Sequence, residues 1–274
     1  MIQKQIITGD NFVLKKLKII IKILFIYPII IVSANNSMAA EGLDLLKNKW
    51  SFEGLFGTFD RASLRRGYQV YNEVCSGCHS IKLLSYRNLS EKGGPEFSRE
   101  DSKNIAASFE VIDGPNSEGE MFTRPGRLSD KFVKPYPNIQ AAEAANGGAY
   151  PPDMSVLAKA RKDGANYIYS ILLGYEDPPE GFELDEGVYY NKYMPGHSIK
   201  MPNVLFDGLL DYADGTEATT QQMAKDITTF LTWASEPSLE ARHKIGFKVI
   251  LYLIILAFVV HLSLKRLWSR IESK

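Results

Sequence analysis

Read for its alternation of apolar and polar positions, the chain has an apolar run near each end. Between them helical stretches are separated by long segments of Gly, Pro, Asn and Asp. The first run, Ile23 to Val32, follows Lys15, Lys16, Lys18 and Lys22, and leads into small residues ending at Ala39-Ala40. A basic stretch, a short apolar stretch and a small-residue site form the pattern of a secretory leader. The run is shorter than the roughly 20 residues a membrane span needs, and Pro28 interrupts its helix. Cleavage is expected near Ala39, with an uncleaved N-terminal anchor as the alternative. The second run, Ile245 to Leu264, has Lys248 as its only formal charge and is long enough to cross a bilayer. Lys248 sits near its start and can snorkel to the interface. Lys265, Arg266, Trp268 and Arg270 follow it, as at a cytoplasmic border. Arg242 and Lys244 precede it and weaken that charge bias, so the orientation rests mainly on the leader. The expected organisation is a signal peptide over 1–39, an exported domain over 40–241, an anchor helix over 242–264 and a short cytoplasmic tail over 265–274.

Inside the domain, Leu64, Tyr68, Val70, Tyr71 and Val74 recur at helical spacing within Arg61 to Val74. Met154 to Leu173 is a second helical stretch with a break near Asp163-Gly164. Gln221 to Ala234 is a third, with Met223, Ile227, Phe230, Leu231 and Ala234 on one stripe. Five prolines (Pro95, Pro115, Pro125, Pro135 and Pro137) forbid long helices between Lys92 and Tyr150. Pro178-Pro179 opens another irregular stretch, and few segments alternate cleanly enough for strands. The pattern predicts a mostly α domain with long loops, of a kind that a large prosthetic group would complete.

Charge sharpens this picture. The whole chain is neutral, but the two flanking segments hold twelve of its 32 basic residues and only two of its 32 acidic ones. The exported part is therefore strongly acidic, which attracts cationic partners and repels nucleic acid. Only two cysteines occur, and both lie in Cys75-Ser76-Gly77-Cys78-His79. Cys-x-x-Cys-His is the attachment signature of c-type haem. Each thiol adds to one vinyl group, and the adjacent imidazole lies under the iron. A zinc site would need a second ligand pair that the chain lacks, and a thiol redox pair would not need the histidine. The sixth iron position is open on these grounds alone: Met201, His197 and Met194 share one Pro-constrained loop. Met ligation would raise the potential relative to two histidines.

Together with the motif, an ordered set of stretches resembles the cytochrome c1 family, the c-haem subunit of ubiquinol–cytochrome c reductase (respiratory complex III). The set runs from Arg65-Arg66-Gly67-Tyr68 through Asp113-Gly114-Pro115-Asn116, Gly119 to Gly126, and Lys134-Pro135-Tyr136-Pro137-Asn138. It continues with Pro151-Pro152-Asp153-Met154-Ser155, Gly174-Tyr175, Tyr193-Met194-Pro195-Gly196, Asp214-Gly215-Thr216 and Ala224-Lys225-Asp226. The resemblance covers almost all of residues 42–270. It implies a class I cytochrome c-like haem domain with long loop insertions, plus one C-terminal transmembrane helix. It implies a distal methionine at Met201, Arg161 near a haem propionate, Tyr167 close to the ring, and Pro151 and Pro152 against it. It also implies one covalent haem c, a cytochrome b subunit, a Rieske iron–sulfur protein as electron donor, a cytochrome c as acceptor, and a dimeric complex. The membrane would be a bacterial inner membrane with the haem domain in the periplasm, or the mitochondrial inner membrane with that domain in the intermembrane space. The rival reading is a stand-alone anchored cytochrome acting as a ligand sensor or haem enzyme. Any reliance of the family on a disulfide does not transfer, because no further cysteine exists.

Overall fold

The computed structural model of the protein describes residues 44–272, so the leader expected over 1–39 lies outside the described residues. The fold is mostly helical. Helix α1 (Arg61–Val70) starts at Asp60, whose carboxylate accepts the amides of Ala62 and Ser63. Such a cap satisfies donors that the first turn cannot pair internally. Helix α6 (Thr220–Ser235), capped in the same way by Thr219, packs its stripe of Met223, Ala224, Ile227, Phe230, Leu231 and Ala234 inward. The two helices cross at Gly67, where a Cβ would lie 2.1 Å from the carbonyl oxygen of Asp226.

That crossing carries a buried polar cluster. Asp226 is fully buried. It accepts from Ser63 Oγ at 2.6 Å and from Arg66 Nε at 2.8 Å and Nη2 at 3.1 Å. Arg66 also reaches Asp214 at 2.7 Å. Around it, Tyr68, Tyr71, Tyr86, Phe132, Phe230 and Trp233 form an aromatic core, with Tyr86 and Phe132 stacked at 4.6 Å.

The Pro- and Gly-rich middle contributes short elements: a 3-10 turn at Tyr86–Ser90, α2 (Arg99–Ala107) and α3 (Ile139–Ala145), which Asn138 caps. Strand β1 (Glu110–Asp113) pairs antiparallel with β2 (Phe122–Pro125), with Val111 opposite Arg124. The helical stretch expected over Met154 to Leu173 is indeed broken. It forms α4 (Leu157–Ala160) and α5 (Gly164–Leu173), separated by Asp163 in the left-handed region. The chain before α1 is pinned on α5: Trp50 Nε1 and the Asn48 amide both donate to Asn166 Oδ1, and the Leu46 amide donates to Ser170 Oγ. A second two-stranded pair, β3 (Tyr189–Tyr190) and β4 (Ser198–Ile199), closes the loop that carries Met194 and His197.

Helix α7 (Leu239–Glu272) has 34 residues, a length of about 50 Å at 1.5 Å per residue. It is long and apolar enough to cross a membrane. Pro237 separates it from α6. The helix runs without interruption through the expected boundary at 241/242. Its first turn belongs to the domain: Leu239 and Glu240 are buried, and Glu240 accepts from Arg61 at 2.7 and 2.9 Å and from the Phe59 amide at 2.9 Å.

Candidate functional site

Helix α1 passes into a widened turn over Tyr71–Cys75, closed by the bond from the Ser76 amide to Tyr71 O. The Cys78 and His79 amides both donate to Cys75 O, so the motif coils tightly at the helix end. The two cysteines are not joined to each other, and Cys75 is half-buried and Cys78 exposed. Burial, with the neighbouring Cys78, pushes the Cys75 thiol up to about 12.

His79 is oriented by a residue 73 positions away. Its Nδ1 lies 2.8 Å from Pro152 O. A carbonyl can only accept, so Nδ1 carries the proton and Nε2 is the free lone pair. Burial lowers the His79 pKa, which favours the neutral imidazole a metal requires. The Pro151–Ser155 segment is zipped to the motif's continuation. Asp153 accepts from Ser80 Oγ and the Lys82 amide, Met154 N donates to Ser80 O, and Ser155 Oγ accepts from the Leu83 amide. Burial of Asp153 opposes its ionisation, but the hydrogen bonds from Ser155, Lys82 and Ser80 outweigh it and hold the carboxylate below the usual range.

The remaining expected residues lie in the link before α5 (Arg161), on α5 (Tyr167) and in the loop region after it (Met201). The Arg161 guanidinium lies 5.8 Å from the centre of the Tyr167 ring and is otherwise bonded only to the adjacent Ala160 carbonyl; it forms no ion pair among the described residues. Tyr167 OH donates to Met194 Sδ at 3.7 Å. Met201 is half-buried, and its carbonyl accepts from Tyr175 OH at 2.9 Å. The fully buried Asn191 ties this loop to α5 by donating to Ile171 O and accepting the Tyr193 amide. His197, one of the candidates left open for the sixth iron position, is half-buried and stacked on Tyr190, with Nδ1 buried and unpartnered among the described residues. Its ring is held by hairpin packing.

The structure thus brings His79 to Pro152 and Arg161 to Tyr167, in two clusters. Two residues that pattern reading missed as site elements, Tyr175 and Asn191, fix the Met201 loop. Tyr175 had a signal, since Gly174-Tyr175 is among the family's stretches. Asn191 had none.

Does this donor set suit a haem? Among the described residues no group of three or more His, Cys, Asp and Glu side chains gathers as a metal cluster. The two thiols are therefore not part of a thiolate–imidazole cage of the zinc type. What is present is a pair of cysteines, an imidazole with Nε2 presented, and thioethers on an anchored loop. Val133, Ile139, Tyr150 and Val156, in the segments around Pro151, are exposed apolar side chains. A flat apolar group attached through the two cysteines, with an anionic substituent at Arg161, fits these residues. The fold is mostly helical, with one helix long and apolar enough to cross a membrane, and its site residues are compatible with a haem.

Comparison with known proteins narrows the class. The cytochrome C1 family matches residues 50–271. A cytochrome c1 heme protein of Arabidopsis thaliana mitochondria is 49% identical over 242 residues, spanning 88% of this chain and 78% of that one. Cytochrome c1 of Rhodospirillum rubrum is 47% identical over 84% of this chain and 90% of its own length. A protein of Bradyrhizobium diazoefficiens named cytochrome b/c1 is 46% identical over 86% of this chain, which covers 37% of that longer chain. The chain belongs to the cytochrome c1 family, haem-bearing electron carriers of complex III.

Proposed function

We propose that this chain carries single electrons from a Rieske iron–sulfur protein to a cytochrome c within a dimeric quinol–cytochrome c oxidoreductase, beside a cytochrome b subunit. In this reading Cys75 and Cys78 would hold one haem c covalently, and His79 Nε2 and Met201 Sδ would be the protein ligands to its iron. Bound there, haem supplies a one-electron ferric/ferrous couple. The observation that carries the reading is the His79 Nδ1–Pro152 O bond, which presents Nε2 beside two cysteines.

The chain's own residues then have distinct tasks. Pro152 keeps the His79 ring in one orientation and one tautomer. Pro151 and Pro152 form a stiff wall against the ring. Arg161, without a carboxylate partner among the described residues, would offer a charge-assisted bond to a propionate, and Tyr167 packs between it and the Met194 loop. Tyr175 and Asn191 hold the Met201 backbone, so that a change of iron charge does not move the ligand loop. The anchor over 242–264 keeps the domain at the membrane. With a cleaved leader over 1–39, the domain at 40–241 faces the periplasm or the intermembrane space and the tail at 265–274 the opposite side.

Of two acidic stretches able to dock a basic cytochrome c, the loop Glu176, Asp177, Glu180, Glu183, Asp185 and Glu186 is favoured. None of its carboxylates has an ion-pair partner among the described residues. In the stretch Glu110, Asp113, Glu118 and Glu120, the Asp113 carboxylate is taken by Arg124. Electron transfer to a basic cytochrome should slow as salt rises, and reversing the Glu183, Asp185 and Glu186 charges should flatten that dependence.

The deciding experiment purifies the chain gently from its own membranes by a C-terminal tag and adds a reduced quinol. Co-purifying b haem, and reduction of the c haem that quinol-site inhibitors block, are expected. A lone chain whose haem binds carbon monoxide and ignores quinol would be the sensor or haem enzyme instead.

A further inference from the structure

The first turns of α7 meet the loop that precedes α1. Glu240, His243, Lys244, Phe247 and Lys248 recur on one face of the helix. With Leu55, Phe56, Gly57 and Thr58 they line a cleft of about 290 Å³ with almost wholly apolar walls. Leu55 and Phe56 are 79% and 75% exposed, the highest values among the large apolar side chains described. They are not frayed. The loop is closed by bonds from Thr58 N to Ser51 O and from Gly57 N to Gly54 O, and buried Trp50, Phe52 and Phe59 clamp it on both sides. Gly57 permits that closure, since a Cβ there would sit 2.3 Å from the Phe52 backbone. The core thus holds two apolar side chains outward, with Phe56 6.0 Å from Phe247 on the membrane helix.

The charges in the cleft are unequal. Glu240 is occupied by Arg61 and the Phe59 amide. Lys244 lies near enough to favour the ionised Glu240, but neither it nor Lys248 has a carboxylate within ion-pair distance among the described residues. Two cations four residues apart above an apolar wall, at the level where a helix enters a bilayer, complement an amphiphile with a negative head. We infer that this cleft binds an anionic phospholipid of the leaflet on the haem-domain side. One acyl chain lies along Leu55, Phe56 and Phe247, and the phosphate lies at Lys244 and Lys248. The inference rests on α7 crossing a membrane.

The test uses the full-length haem-loaded chain, solubilised gently, with phosphatidylglycerol and phosphatidylcholine offered separately and retention read by native mass spectrometry. Phosphatidylglycerol should be retained in preference. The double variant Lys244→Gln/Lys248→Gln should weaken its binding by about thirtyfold, at roughly one headgroup attraction per cation. Phe56→Ser should weaken both lipids alike. Equal retention by the lysine variant, equal affinity for phosphatidylcholine, or displacement of the lipid by inorganic phosphate would overturn the inference. So would a photoreactive side chain at Leu55 that labels a polypeptide rather than lipid in native membranes. Loss of the unmodified chain from alkali-washed membranes would instead sink the spanning reading itself.

Discussion

The α1–α6 pair and the cradle around His79 and Met201 are built by opposite means. The helix pair packs on itself, with large side chains fully buried and one desolvated ion pair at the crossing. The cradle draws its buried side chains, Ile81, Leu84, Met154 and Leu205, from the edge of that same core. Its segments are pinned by polar bonds through Ser80, Asp153, Tyr175 and Asn191, and Val133, Tyr150 and Val156 nearby in sequence stay exposed. One region is stable because of what it buries internally. The other has its shape set by polar pins and completes its apolar packing only against a bound group. Mutations in the first should therefore change stability while leaving the haem spectrum intact, and mutations in the second should do the reverse.

The largest contrast should come from Asp226→Ala. It leaves the Arg66 guanidinium, 13% exposed, without its buried partner, an effect of about 3–5 kcal/mol. Denaturant unfolding of the haem-loaded protein should show that loss with an unchanged Soret band. A spectral change at native conditions would mean the two regions are coupled. Tyr175→Phe should be the smaller converse. One hydrogen bond to Met201 O is removed, about 1 kcal/mol. The expected readout is a weakened long-wavelength methionine–iron band of the ferric protein, with little change in unfolding midpoint. A full-strength band that resists heating as in the parent would show that Tyr175 does not hold the ligand loop.

The smallest effect sits at the rim of the helix pair. The Thr216 amide and then Arg66 hold Asp214 down from 3.8 to about 2. A depressed folded-state pKa gives stability that is present above the unfolded value and lost as pH falls through the folded one. Stability should therefore decline between pH 3.8 and about 2 by an amount that Asp214→Asn removes. Identical acid titrations of the two proteins would show that the Arg66 pair with Asp226 carries the whole interaction.

The same contrast explains what could be read from the sequence. The α6 stripe is periodic over several turns and the α7 run is apolar over about 20 residues, so both were legible. So was the break at Asp163-Gly164, where a Cβ on Gly164 would meet Ala158 O at 1.7 Å. The β1–β2 hairpin was not legible, because neither face is fully buried and Glu-Val-Ile-Asp and Phe-Thr-Arg-Pro do not alternate apolar with polar residues. In the site, Cys75, Cys78 and His79 announce themselves by spacing. The partner of His79 is a backbone carbonyl, which leaves no side-chain signature; only the family's Pro-Pro stretch pointed there. Asn191 likewise acts on main-chain groups brought close by folding.

The Glu240 contacts change how the anchor should be pictured. A helix joined by a slack linker would be a tether, and its cargo would sweep a hemisphere above the membrane. Here the helix's first turn is bolted into the domain by Arg61 and the Phe59 amide, and Leu239 is buried beside it. The helix is a mast, and the domain is fixed at its head. The height of the His79 site above the bilayer is then a constant of the molecule, and electrons can be gated by distance only if the donor or the acceptor travels.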